Sequence, residues 1–310
     1  MNYRHAFHAG NFADVVKHLI LSRLVEYLKK KDGAFRVIDT HAGLGRYDLG
    51  SSEAQRSPEW KQGIAKFLAA ELPAKAKELA KPYLDVIAAE NPNGLKSYPG
   101  SPWLVRQLFR PQDRLEAVEL HPEDAWRLGQ LFAGDIQARI ITLDGWLALN
   151  AHLPPKEKRG LVLVDPPFEE KADFVRLVDG LEKGHRKFAT GVFALWYPLK
   201  DTRVVHDFIS ALQATGIPKM LRTEVSVRPA TNPPTLHGSG MIIVNPPFTL
   251  EAELRILLPA LARILGDEGE GRHKLEWLAG EAAPAAPPVA TPAARPKRPA
   301  RPFRPSRPKA

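Results

Sequence analysis

The stretch Leu161-Val162-Leu163-Val164-Asp165-Pro166-Pro167-Phe168 decides the fold, because an unbroken apolar run is closed by an acid, two prolines and an aromatic ring. The run reads as a buried strand, and the prolines end it because they cannot donate to a ladder. One edge of a sheet thus receives an acceptor side chain, two rigid proline carbonyls and an aromatic face. That set suits an sp2 amine on a flat group, such as the exocyclic amine of adenine. Two acceptors on its N–H groups draw the nitrogen toward tetrahedral geometry and free its lone pair, while a phenyl ring can stack on the base. Alone, the four residues are better read as a strand followed by a proline-stiffened loop. Their neighbours decide between the two.

Outward from that stretch the chain alternates. Asn11 caps a helix running to about Lys30, and Phe35–Thr40 reads as a strand ending in the turn His41-Ala42-Gly43-Leu44-Gly45. Residues 57–91 read as helical with breaks at Pro73 and Pro82, followed by a loop at 98–102, a helix at 102–110 and a strand at 115–120. Helix 122–133, strand 139–143, a short helix, strand 161–164, helix 170–184, strand 190–196, helix 201–215 and strands 220–227 and 241–244 complete the body. Strands alternating with helices define an α/β doubly wound sheet. Only a loop joins the last two strands, so they form an antiparallel pair.

In such a sheet, ligands bind at the carboxyl ends of the strands. Successive strand ends here carry Asp39, Glu119, Asp144-Gly145 and Asp165. Glu119 can accept both hydroxyls of a ribose, Asp144 can meet an adenine amine, and Gly145 lets backbone approach closely. Any one of these acids can be an ordinary loop residue or helix cap, but four in series are more specific. The turn after the first strand lacks the strict glycine order that cradles a pyrophosphate. An acid-rich site with a poor phosphate loop fits a ligand with a ribose and a positive charge but no phosphate. S-adenosyl-L-methionine is such a ligand, and the expected reaction is in-line methyl transfer to an amine.

Composition narrows the classes. The 310 residues are 44% hydrophobic and 25% charged and contain no cysteine, which excludes disulfides, thiolate metal sites and cysteine nucleophiles. No apolar run reaches the ~18 residues of a membrane helix. The start, Met1-Asn2-Tyr3-Arg4-His5, lacks a signal-peptide core, so a cytoplasmic location without membrane contact is expected. Of the formal net charge of +9, residues 282–310 carry +7 with no acid, leaving a nearly neutral body. This tail holds nine prolines in 29 residues and reads as disordered, apart from a methyltransferase-type domain expected over 1–281. Its Arg-Pro-x repeats would align arginines ~9 Å apart along a polyproline II edge. That spacing suits phosphate contacts, and a solubilising tail is the equal alternative.

The acidic strand ends and the tetrapeptide resemble class I methyltransferases that methylate amines, which carry Asp/Asn-Pro-Pro-Tyr/Phe after the fourth strand. The likeness narrows through Tyr3-Arg4-His5-Ala6-Phe7-His8-Ala9-Gly10-Asn11, Asp14-Val15-Val16-Lys17-His18, Asp39-Thr40-His41-Ala42-Gly43, Tyr98-Pro99-Gly100-Ser101-Pro102, Glu119-Leu120-His121-Pro122 and Ala194-Leu195-Trp196-Tyr197-Pro198. Over about residues 2–278 the chain is similar to the RlmJ-type family, which methylates N6 of an adenine in bacterial 23S rRNA. The resemblance implies a Rossmann-like sheet, mostly parallel with an antiparallel last strand, and a small helical insertion after the first strand at about 50–98. Eighty residues separate Asp39 from Glu119, where a dinucleotide fold needs ~20, and the insertion accounts for the excess. It further implies that His18, His41, Ser101, Glu119, Asp144, Gly145 and Asp165 line the site of S-adenosyl-L-methionine. Asp165, with Pro166, Pro167 and Phe168, would hold the adenine amine, and Tyr3 would reach the RNA. Phe168 stands where many relatives carry tyrosine, and stacking does not need the hydroxyl.

Three features compete with this reading. Asn245-Pro246-Pro247-Phe248 repeats the tetrapeptide chemistry, but after an antiparallel strand it falls on the opposite sheet edge. His5 and His8 have metal-like spacing without a nearby acid before Asp14, so packing or RNA contact is expected, and no metal. Lys17 on a helix reads as solvated, and Trp196 as either a wall of the base pocket or a core aromatic. The expected substrate is 23S rRNA, naked or in an early particle, acted on by a monomer. The alternatives are a DNA adenine or protein glutamine amine, or an RNA-binding module without catalysis.

Overall fold

The computed structural model describes residues 4–170 and 172–280, so Tyr3 and the Arg-Pro tail lie outside the described residues. All five residues of strand β6 (Gly160–Val164) are buried. Leu161 and Leu163 join the core on one face of the sheet, Val162 and Val164 the core on the other, as the two-residue period requires. Strands β1 (Arg36–Asp39) and β7 (Val192–Leu199) flank β6 in parallel. Beyond β1 lie β4 (Arg114–Glu119) and β5 (Ala138–Thr142), also parallel. Beyond β7, β9 (Gly238–Val244) runs antiparallel between β7 and β8 (Met220–Ser226), and β10 (Arg272–Ala279) pairs antiparallel with β8. The eight-stranded order is β10-β8-β9-β7-β6-β1-β4-β5. The architecture is the Rossmann-like α/β sheet expected from the sequence, extended by one edge strand.

Helices cover both faces. Helix α1 (Phe12–Lys29) begins at Asn11, whose side chain accepts from the Asp14 N–H. It packs against α4 (Ala74–Glu90), α5 (Ser101–Gln107), α10 (Leu250–Leu265) and the sheet. Surrounded in this way, α1 is buried nearly all round rather than on one stripe. The opposite face carries α7 (Gly145–Ala151), α8 (Asp173–Lys187) and α9 (Thr202–Ala214), while α6 (Pro122–Leu131) closes the β4–β5 edge. No helix among the described residues is long and apolar enough to cross a membrane.

Between β1 and β4 the chain adds β2 (Arg46–Asp48), α2 (Ser52–Arg56), α3 (Ile64–Ala69), α4 and β3 (Ser97–Pro99). Strands β2 and β3 pair antiparallel and close this excursion at its base. Two sequence expectations change here. Of the two breaks expected within 57–91, Pro73 does stand at the start of α4, where no N–H is needed, whereas Pro82 stays inside α4. The lost bond at Pro82 is offset by the buried face of Tyr83, Val86 and Ile87. The second change is β10, whose Arg-His-Lys-Leu-Glu-Trp sequence has no apolar run to announce it; the β8 ladder and packing on α10 hold it.

Gly63 fastens the excursion to α1. Ile64 N donates to Gly10 O at 2.8 Å, and a Cβ on Gly63 would lie 2.1 Å from that same oxygen and 2.4 Å from Asn11 C. Gly63→Ala is therefore expected to cost about 1–3 kcal/mol through overpacking of backbone on backbone. Urea unfolding checks this, and an unchanged midpoint would contradict it.

Candidate active site

The topological switch point lies between β1 and β6, because the chain leaves β1 toward β4 on one side and reaches β6 on the other. A cavity of about 750 Å3 opens at the carboxyl ends of these strands. It is lined by His18, His41, Ser101, Glu119, Asp144, Gly145, Asp165, Pro166, Pro167 and Phe168 together. Of the residues picked from the sequence, Asp39 lies behind this lining, and Tyr3 falls outside the described residues.

The four strand-end acids differ in their partners. Glu119 accepts from Gly43 N and His121 N, both at 2.8 Å, and burial pushes its carboxyl above the usual range. Asp144 caps α7 through Trp146 N at 2.8 Å. Asp39 sits beneath the cavity wall, accepting from Ser101 Oγ at 2.6 Å. Burial pushes Asp39 up to about 7, Ser101 opposing the rise and the Asp165 carboxylate adding to it. Asp165 pairs with the Lys17 ammonium, which also holds Asp14 Oδ1 at 2.9 Å.

Lys17 corrects the solvated reading. It is 4% exposed, lies 5.6 Å from the centre of the Trp196 ring, and its two carboxylates raise its pKa against the opposing effect of burial. Asp14 further accepts from Gly10 N and bonds His5 Nε2, both at 2.9 Å. Although desolvation opposes ionisation, the positive groups around Asp14 hold it well below the usual carboxylate range. Asp14 and Lys17, at i and i+3, share one face of a helix that packing buries nearly all round, so neither has solvent to face.

Gly145 admits close backbone approach, but from this chain's own β1 end. A Cβ there would lie 2.1 Å from Thr40 O and 2.9 Å from His41 Nε2. His41 is packed by Trp146 with ring centres 5.2 Å apart, and burial pushes its pKa down to about 3. Phe168 takes a φ of 50°, a strained region for a non-glycine residue. Phe174 and Trp196, with ring centres at 4.7 and 5.6 Å, hold its ring at the cavity wall. Trp196 itself lines the cavity and donates to Ser239 Oγ at 2.9 Å, so it is a wall residue anchored in the core.

The competing features separate cleanly. β9 is antiparallel, and Val244 pairs with Phe193 near the start of β7, so Asn245–Phe248 leaves the sheet on the edge opposite Asp165. Asn245 Nδ2 donates to Ala189 O and Gly191 O at 2.8 Å each, and Phe248 is 83% exposed. His5 bonds Asp14 and His8 bonds Glu59, both at 2.9 Å. Among the described residues no group of three or more His, Cys, Asp or Glu is arranged to hold a metal ion.

Asp39 makes the fold sensitive to pH. The folded chain binds its proton more tightly than the unfolded chain, whose aspartates titrate near ~3.9. Stability from this group therefore falls as pH rises from about 4 through about 7, at up to ~1.4 kcal/mol per pH unit, and is level above that. Asp39→Asn is expected to remove this slope, so its stability relative to the parent is greater at pH 8 than at pH 5. Denaturant titrations at both pH values check it; a pH-independent difference would contradict it.

Comparisons with known proteins identify the family. Residues 32–279 match the family model described as "Ribosomal RNA large subunit methyltransferase D, RlmJ". The chain is 44% identical over 283 residues to ribosomal RNA large subunit methyltransferase J of Escherichia coli strain K12, covering 91% of this chain and 100% of that protein. The Haemophilus influenzae protein of the same name is 41% identical over 284 residues, again covering 91% and 100%. The crystal structure of protein LPL1258 from Legionella pneumophila aligns with a TM-score of 0.80 at 35% identity, covering 87% of this chain and 98% of that one. With the family model matched over residues 32–279 and relatives aligned over their full length, the chain belongs to the RlmJ family of ribosomal RNA large subunit methyltransferases.

Proposed function

We propose that this chain transfers a methyl group from S-adenosyl-L-methionine to N6 of an adenine in 23S rRNA, acting as a monomer on naked RNA or an early particle. The observation that carries the reading is Asp165, at the end of the central strand, facing the same cavity as His18, His41 and Glu119. The cavity falls within the ~300–1,000 Å3 typical of small-molecule sites. His18 Nε2 is buried there without a hydrogen-bond partner, which fits a ligand with polar atoms of its own. Asp14, Lys17 and Asp165 carry one net negative charge beside the cavity, the sign that suits a sulfonium.

When bound, S-adenosyl-L-methionine supplies an electrophilic methyl group on sulfur. Asp165 and the Pro166 carbonyl accept the two N6 hydrogens, drawing the nitrogen lone pair out of the ring. Phe168 and Trp196 offer aromatic faces to the base. A carboxylate held by an ammonium is a weak base for a neutral amine, but it can take the proton once the nitrogen has become positive. Positioning and water exclusion thus carry most of the catalysis.

The test is methyl incorporation into 23S rRNA lacking the modification, against the modified rRNA, DNA and a glutamine-bearing protein, followed by nucleoside mass spectrometry. N6-methyladenosine in the unmodified rRNA alone is expected. Label appearing only in DNA or protein would overturn the rRNA reading.

A further inference from the structure

His18 Nδ1 lies 2.8 Å from Tyr98 Oη, and Tyr98 Oη lies 3.1 Å from Tyr83 Oη. Both tyrosines are fully buried, neither lines the cavity, and burial raises both phenols so that they keep their protons. Among the described residues Tyr83 Oη has no other hydrogen-bond partner. Its proton therefore has one place to go, the Tyr98 oxygen. The Tyr98 proton is then directed to His18 Nδ1, which must be the bare nitrogen. The opposite direction would leave the Tyr83 proton unpaired inside the core, a costly arrangement. The imidazole lies 19° from the plane of the Tyr98 ring with ring centres 5.5 Å apart, and in this orientation Nδ1 is the nitrogen that meets the Tyr98 hydroxyl. Burial holds His18 neutral, with its pKa down to about 3.

We infer that Tyr83 and Tyr98 are positioning residues that fix His18 as the Nε2–H tautomer, a permanent hydrogen-bond donor into the cavity. Tyr83 belongs to α4, so the excursion between β1 and β4 is wired into the ligand site by a directed proton chain. His41 is wired the other way. Thr40 Oγ1 donates to Leu163 O at 3.0 Å, so at 2.8 Å it accepts from His41 Nδ1–H, leaving His41 Nε2 as an acceptor. The cavity thus carries one fixed donor and one fixed acceptor, both neutral, and discriminates among ligands by hydrogen-bond polarity. That the ligand met by His18 is the methyl donor rests on the proposed function.

The test is nitrogen-15 correlation spectroscopy of the histidine rings in the ligand-free chain, compared with Tyr83→Phe and with Tyr98→Phe. The parent is expected to show bare Nδ1 at His18 and bare Nε2 at His41. Tyr98→Phe takes away the partner of Nδ1, so His18 becomes a mixture of tautomers, whereas Tyr83→Phe leaves Tyr98 with His18 as its one acceptor and keeps Nδ1 bare; His41 is unchanged in both. Calorimetry should then give S-adenosyl-L-methionine a dissociation constant about 3- to 10-fold weaker in Tyr98→Phe, against one within about twofold of the parent in Tyr83→Phe, with the rate at saturation in Tyr98→Phe falling less than the affinity. Protonated Nδ1 at His18 in the parent, or an unchanged tautomer in Tyr98→Phe, would overturn the wiring. If the tautomers are as expected but S-adenosyl-L-methionine does not bind the parent, the wiring stands and the proposed function fails.

Discussion

Asp165→Asn is expected to fold, to bind S-adenosyl-L-methionine within about tenfold of the parent, and to transfer methyl groups about 10²–10⁴-fold more slowly. The fold tolerates the change because of the charges around Lys17. Asp14 and Asp165 share one buried ammonium, so removing the Asp165 charge leaves a balanced Lys17–Asp14 pair. Activity falls because the new amide has one acceptor and one donor, and the ammonium claims the acceptor. The amide nitrogen then points its hydrogens into the cavity, donor against donor, where an amine must offer its own. Asp165→Ala should lose similar activity by leaving no partner at all. Single-turnover methyl transfer measured alongside calorimetric binding separates chemistry from affinity. A rate for Asp165→Asn within tenfold of the parent would remove Asp165 from the proposed role.

What was legible in the sequence, and what was not, follows from the kind of signal each feature leaves. Leu161–Val164 announces itself because a central strand must be apolar on both faces, and the prolines after Asp165 mark where it stops. The alternation of such runs with helices was enough to bring Glu119, Asp144 and Asp165 to one sheet edge. β10 escaped because an edge strand that exposes most of its residues has little apolar pattern to read. The roles within the site were less legible than its membership. Asp144 spends an oxygen capping α7, and Gly145 yields to Thr40, neither of which strand position alone can reveal. Lys17 was misread because a lysine on a helix is usually solvated, and only the packing of α1 between four neighbours removes the solvent. Tyr83 lies far along the chain from His18, joined to it only through Tyr98.

Lys17→Met is expected to cost about 3–5 kcal/mol of stability, the largest effect of a single substitution at the site. The variant keeps the volume of the stem but removes the only positive partner that Asp165 has among the described residues. Two carboxylates would then face each other with side chains 2% and 14% exposed, doubling the uncompensated buried charge instead of cancelling it. The chain can relieve this by protonating one acid, and a protonated Asp165 accepts through one oxygen only and cannot take the proton of the methylated nitrogen, so activity should fall even in the fraction that folds. The double variant Lys17→Met/Asp165→Asn discriminates this account from simple loss of packing. Asp14 would retain Gly10 N and His5 as partners, and the remaining site would hold one negative charge rather than two. Stability should therefore recover by ~1–3 kcal/mol relative to Lys17→Met, a coupling between neighbours that additive packing losses cannot produce. Urea unfolding of the parent, both single variants and the double variant closes the cycle. Strict additivity would mean that Lys17 supports the fold through its methylene stem and Trp196, with the charge on Asp165 compensated elsewhere.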